Sequence, residues 1–177
     1  MRAAGDRVMA ADSARSLDLA ELDVIAPGAF AAAVAPLFEG ARGFLGRLAL
    51  ARPFDSVDVM FERARDIAHA MPPNEQLELI DAHPRLGASA AAVSDLSRVE
   101  QSSGAADATV AAELDRLNAA YEARFGFRYC VFVAGRSRAA LLPDFRAALE
   151  ADREAEIRRA LDAVVDIARA RYATLTA

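Results

Sequence analysis

Apolar positions in this chain recur every three or four residues and almost never alternate, a periodicity that predicts helices nearly throughout. Short helices are expected over residues 17–22, 28–38 and 42–51, with Pro27 and Pro53 as punctuation. Ser56 then caps a helix reaching residue 71, on which Val57, Met60, Phe61, Ala64, Ala68 and Met71 form one stripe. His69 lies off that stripe and is expected to face water. The next helix, 73–82, stops there because Pro84 disfavours helical geometry at the residue before it. A helix over 107–125 aligns Val110, Leu114, Leu117, Tyr121 and Phe125, with Asn118 at the edge of the apolar face and Gly126 as its stop. Ser137 opens a helix carrying Leu141, Leu142 and Phe145, expected to kink or restart at Pro143. Asp152 starts the last helix, with Ile157, Leu161, Val164, Ala168, Tyr172 and Leu175 facing inward.

One segment breaks the pattern. Residues 127–133, Phe-Arg-Tyr-Cys-Val-Phe-Val, read as β-like, yet no second strand exists to pair with them. An extended connector is expected instead, whose backbone groups must find other partners and are able to bind a ligand. The fold class that follows is all-α: a single-domain multi-helix bundle over residues 17–177, with one extended connector. Residues 1–16 are expected to be a flexible extension.

Composition narrows the picture. The chain has 177 residues, 54% of them apolar, enough for one core without staples. A formal net charge of −5 argues against nucleic acid as a partner. No apolar run approaches the length of a membrane span, and the start of the chain carries no signal-peptide core. Every basic residue is Arg, which reads as the codon bias of a GC-rich bacterial genome. The single Cys130 excludes an internal disulfide and fits a reducing, cytoplasmic setting.

Candidate chemistry gathers in few places. His83, one of two histidines, sits at a helix end in Asp81-Ala82-His83-Pro84-Arg85-Leu86-Gly87, and Ser97-x-x-Glu100-Gln101 follows. An imidazole beside a carboxylate is the minimum apparatus for moving a proton near neutral pH. Ser97 and Glu100 equally match a capping box at a helix start. Arg171 falls within the inward stripe of the last helix, where its fork suits a bound carboxylate, or from which it snorkels to water; Arg169 points elsewhere. No metal-ligand spacing and no Gly-rich phosphate loop are present. Pattern alone thus reaches a helical domain with a candidate His/Glu/Arg pocket, and no further.

Three motifs in order carry the reading further: Ala82-His83-Pro84-Arg85-Leu86-Gly87, Ser97-x-x-Glu100-Gln101, and Leu117-Asn118-x-x-Tyr121-x-x-Arg124-Phe125-Gly126-Phe127. Together they resemble the decarboxylase family of ureide metabolism that acts on 2-oxo-4-hydroxy-4-carboxy-5-ureidoimidazoline (OHCU). Pro36-Leu37-Phe38-Glu39, Arg52-Pro53-Phe54 and Ile167-Ala168-Arg169-Ala170-Arg171-Tyr172 extend the similarity outward. The resemblance implies a cofactor-free lyase, commonly a homodimer, that forms (S)-allantoin in urate degradation. It implies His83 as catalytic acid/base, with Glu100 as the catalytic carboxylate that works with it; the alternatives are a non-catalytic helical interaction module of the same fold, or an acid/base lyase on a related ureide. Pro84, Ser97, Gln101, Arg171 and the backbone of Val131, Phe132, Val133, Ala134 and Gly135 would surround the substrate. The chain departs from the family pattern at Arg128, where Pro or an aliphatic residue is frequent, at Ala134, and in a shorter loop between His83 and Ser97.

Overall fold

The computed structural model describes residues 17–88, 95–96 and 108–176, and among these every regular element is helical. In chain order the elements are α1 (Leu19–Val24), α2 (Pro27–Val34), a 3₁₀ turn (Ala35–Phe38), α3 (Arg42–Leu50), α4 (Val57–Ala70), α5 (Pro73–Asp81), α6 (Ala108–Phe125), α7 (Arg138–Ala148) and α8 (Arg153–Leu175). The extension 1–16 and the residues Ser97, Glu100 and Gln101 lie outside the described residues.

Helix boundaries follow from local chemistry. Asp18, Ser56, Ser137 and Asp152 each accept a backbone N–H of the first turn with their side chains, satisfying donors that no helical carbonyl reaches. The helix expected over 28–38 divides: Pro36 has no N–H to donate to Ala32, and the chain tightens into the 3₁₀ turn. Glu39 ends it in the left-handed region, with φ +50°. Pro143 neither stops nor restarts α7, which runs on to Ala148; the carbonyl it leaves without a donor belongs to Ala139, an exposed residue of the first turn.

Helix α8 is the axis of the bundle and packs against α4, α5 and the 3₁₀ turn. Its inward stripe is buried as expected from Ile157 to Tyr172, whereas Leu175, at the frayed end, is half exposed. The stripe on α4 is buried from Met60 through Met71. His69 is a correction to the expectation of a free surface histidine. Its Nε2 lies 2.9 Å from Asp162 Oδ1, because His69 stands one turn beyond Arg65, which pairs with Asp162 and Asp166 across the same seam. Such half-exposed pairs add little stability but set the register of α4 on α8.

A second layer is built around Tyr121 of α6, whose ring meets Phe125, Phe127, Tyr129 and Phe145 at centroid distances of 4.6–5.8 Å. Tyr129 stacks on Phe145 at 3.7 Å, so the connector after α6 is held by its aromatic side chains against α7. Each such ring, fully buried, stabilises the fold by about 2 kcal/mol relative to exposure.

Between α5 and α6 the loop passes through Gly87 with φ +86°, where a Cβ would stand 2.9 Å from Leu114 Cδ1 on α6. Both the backbone conformation and the close approach require glycine. Gly87→Ala is expected to lower unfolding free energy by about 1 kcal/mol or more in a urea titration; a variant as stable as the parent would show that this loop is not seated on α6.

Candidate active site

Helix α5 places the central histidine. It ends with Ala82 N–H donating to Glu78 O at 3.0 Å and His83 N–H to Ile80 O at 3.1 Å, after which Pro84 bars another turn. The imidazole therefore folds back along its own helix, with Nδ1 3.3 Å from Leu79 O. A carbonyl only accepts, so Nδ1 carries the proton and Nε2 presents a bare lone pair. Nε2 is buried and has no hydrogen-bond partner among the described residues. Asn118 fixes the loop beyond: its Nδ2 donates to Leu86 O at 3.0 Å, the backbone-pinning role expected of an amide at the edge of an apolar face.

Helix α8 supplies the second charged group. Arg171 is 2% exposed, which excludes snorkelling to water. Its Nη1 donates to Pro36 O at 3.0 Å and Leu37 O at 3.3 Å, and Nη2 to Glu39 Oε1 at 2.8 Å. The guanidinium thus caps the end of the 3₁₀ turn and is balanced by a carboxylate from the same turn. Glu39 belongs to the Pro36-Leu37-Phe38-Glu39 segment that carries the resemblance but was not among the expected site residues, and nothing in local spacing pairs it with Arg171.

The connector closes the space between them. Residues 127–133 form no strand, in agreement with the expected extended run. Its backbone acceptors are taken by arginines: Arg159 Nη1 donates to Cys130 O at 2.9 Å, Arg136 Nη2 to Phe132 O at 3.0 Å and Arg136 Nε to Val133 O at 3.2 Å. Arg159 also holds Glu156, which accepts from Tyr121 Oη at 2.7 Å. Burial, and next the bond to Glu156, push the Tyr121 phenol upward and keep it a donor. At its end the connector turns sharply, with Arg136 N–H to Val133 O at 3.0 Å and left-handed φ at both Ala134 (+50°) and Gly135 (+72°).

These three pieces enclose a cavity of about 250 Å³. His83, Pro84 and Leu86 line it from the turn; Tyr129, Cys130, Val131, Phe132, Val133, Ala134 and Gly135 from the connector; Ile167, Ala170 and Arg171 from α8. The structure thus brings together His83, Pro84, Arg171 and the stretch from Val131 to Gly135. Leu86, Tyr129, Cys130, Ile167 and Ala170 were missed; Ile167 lies four residues before Arg171, on the same helix face, and Ala170 one turn on from Ile167.

Burial, and then the charge of Arg171, push the His83 imidazole down from 6.5 to about 4, against smaller opposing effects of Glu39 and the Leu79 carbonyl. The ring is neutral at pH 7. A bare nitrogen lone pair near a guanidinium, in a largely apolar chamber of small-molecule size, equips this helical domain for acid/base work on a small anion. Among the described residues no group of three or more His, Cys, Asp or Glu is arranged to hold a metal ion, and no helix is long and apolar enough to cross a membrane.

The chain belongs to the OHCU decarboxylase family, whose model matches residues 24–173. A 2-oxo-4-hydroxy-4-carboxy-5-ureidoimidazoline decarboxylase of Haloferax volcanii is 29% identical over 160 residues, covering 89% of this chain and 95% of that protein. The uric acid degradation bifunctional protein of Bacillus subtilis is 33% identical over 141 residues, covering 78% of this chain; the match spans 28% of that longer protein. A crystal structure of OHCU decarboxylase in the presence of (S)-allantoin shares the fold with TM-score 0.67 at 24% identity, over 80% of this chain and 95% of that one.

The depressed value of His83 has a consequence for stability. Between pH 6.5 and about 4 the unfolded chain binds a proton at this position that the folded chain does not, so stability falls as pH falls through that window and is unaffected above it. Urea midpoints measured from pH 7 to 4 should decline less steeply in His83→Gln than in the parent. Identical slopes, or a ring that titrates near 6.5 by NMR, would place His83 in a solvated environment.

Proposed function

We propose that this protein decarboxylates OHCU to (S)-allantoin, with His83 as proton carrier and Arg171 as partner of the substrate carboxylate. The observation that carries this reading is the meeting of a neutral, singly committed imidazole with a buried guanidinium in one small chamber. Loss of CO2 breaks the bond from C4 to the carboxylate carbon. Its electron pair forms a C4=C5 bond as the C5=N pair shifts onto nitrogen, which takes up a proton from water; the 4-hydroxyl then loses its proton to become a carbonyl while a proton is added at C5.

His83 is built to begin as a base. Its Nε2 lone pair takes the 4-hydroxyl proton, and the imidazolium so formed, disfavoured by burial and by Arg171, is a strong acid that returns a proton to carbon. Glu100 is assigned to orient His83, and Ser97 and Gln101 to bind substrate, on the resemblance of their motif. Pro84 and the backbone from Val131 to Gly135 form the wall that leaves one face of C5 open. A homodimer in the bacterial cytoplasm, working without a cofactor, completes the proposal.

The test follows the handedness of the product. OHCU loses CO2 unaided, and protonation of a planar intermediate in water gives a racemate, so circular dichroism separates enzymatic from spontaneous decay. The (S)-allantoin signal should grow in step with loss of OHCU. His83→Ala should lower turnover by about 10² or more, with little net dichroism. Racemic product at the spontaneous rate from the intact protein would leave the non-catalytic reading of this fold standing.

Arg171 calls for a different design, because removing it alone takes a buried charge partner from the Glu39 carboxylate. Arg171→Met combined with Glu39→Gln should fold and show a raised KM, whereas Arg169→Met, which breaks only an exposed pair with Asp58, should leave both kinetic constants unchanged. An unaltered KM in the double variant would remove Arg171 from the substrate's carboxylate.

A further inference from the structure

The turn that carries His83 and the connector that faces it lie more than forty residues apart in sequence, yet one residue pair bolts them together. Helix α5 ends at Asp81, and the last carbonyls of a helix have no partner within it. Arg128, in the connector, reaches them: its Nη1 donates to Asp81 O at 2.8 Å and to His83 O at 3.2 Å. The same residue's backbone N–H donates to Asp81 Oδ1 at 2.8 Å. A cation is favoured at a helix C-terminus, and a guanidinium spanning two carbonyls fixes their spacing.

The neighbourhood shows what this arrangement controls. With His83 N–H on Ile80 O, Nδ1 on Leu79 O and its carbonyl on Arg128, every hydrogen-bonding group of the histidine except Nε2 is committed. Arg128 itself does not line the catalytic cavity. Together with Asp81 and Glu122 it borders a separate depression of about 220 Å³ on the far side of the turn. Any influence it has on chemistry must pass through the position of His83 and the connector.

We infer that Arg128 and Asp81 form a clasp that positions the His83 imidazole against the connector, making Arg128 a positioning residue for proton transfer. The inference rests on the reading of His83 as proton carrier. Misplacing such a group by about 1 Å costs up to about a hundredfold in rate, so the clasp should act on turnover and hardly on affinity.

The test is steady-state kinetics on OHCU with Arg128→Met, which keeps the aliphatic stem and loses the donors, beside His83→Ala in the same assay. Arg128→Met should lower kcat between about tenfold and a hundredfold, with KM within about twofold. Its His83 ring should titrate closer to 6.5 by NMR, because a loosened turn admits water to Nε2. Arg128→Lys, a single-point donor, should recover part of the rate, and millimolar methylguanidinium should restore part of the turnover of Arg128→Ala by entering the outer depression. Parent-like kcat in Arg128→Met while His83→Ala is inactive overturns the clasp and leaves His83 in place. Parent-like kcat in His83→Ala overturns the role of His83 instead, and an unshifted ring titration in Arg128→Met then removes the clasp as well. A fall in kcat that only tracks the folded fraction, with no rescue by Lys or methylguanidinium, also overturns it; should Arg128→Met not fold, the Lys variant carries the same comparison.

Discussion

The burial of the Arg171 guanidinium is the constraint on which the rest of this structure depends. A permanent charge that is 2% exposed is tolerated only where it is met by partners, and the 3₁₀ turn ending at Glu39 supplies two carbonyls and a carboxylate. That requirement draws the turn onto α8 and holds Glu39 in a left-handed conformation an acidic residue rarely adopts. Burial first, and the same charge second, push the His83 imidazole below its ordinary value. One interaction therefore joins the 3₁₀ turn to the last helix and adds to the effect of burial on His83.

Arginine does in this protein what a partner strand does elsewhere. The connector has β-like composition but no ladder, and its carbonyls are met by Arg159 and Arg136, while Arg128 secures its start to the end of α5. Arg159 can reach Cys130 O from the interior because Glu156 neutralises it and Tyr121 satisfies Glu156 in turn. A connector braced in this way lines the cavity from Tyr129 to Gly135 with no strand beside it among the described residues.

Much of the fold was legible because helices are local objects. The caps at Ser56, Ser137 and Asp152, the stop at Gly126 and the stripes on α4 and α8 depend on spacings of three or four residues, and each lies where the pattern puts it except at the stripe ends, where Val57 is half-buried and Leu175 exposed. His83, Pro84, Arg171 and the connector were also legible as candidates, the first two from a helix end and the third from a cation inside an apolar stripe. Their convergence on one cavity was implied by the family resemblance and not by any spacing, since none relates the end of α5 to the last turns of α8.

What the sequence determined by itself was therefore the set of helices, their buried faces and the few residues whose chemistry is out of place on such faces. Only the tertiary structure decided which groups neutralise one another. Glu39 stands 132 residues from Arg171, Asp162 is 93 from His69, and Glu156 is 35 from Tyr121. The physical reason is range: capping and periodicity are enforced by bonds within a turn or two, whereas a buried charge accepts whatever partner packing delivers, and that is settled only when the helices meet.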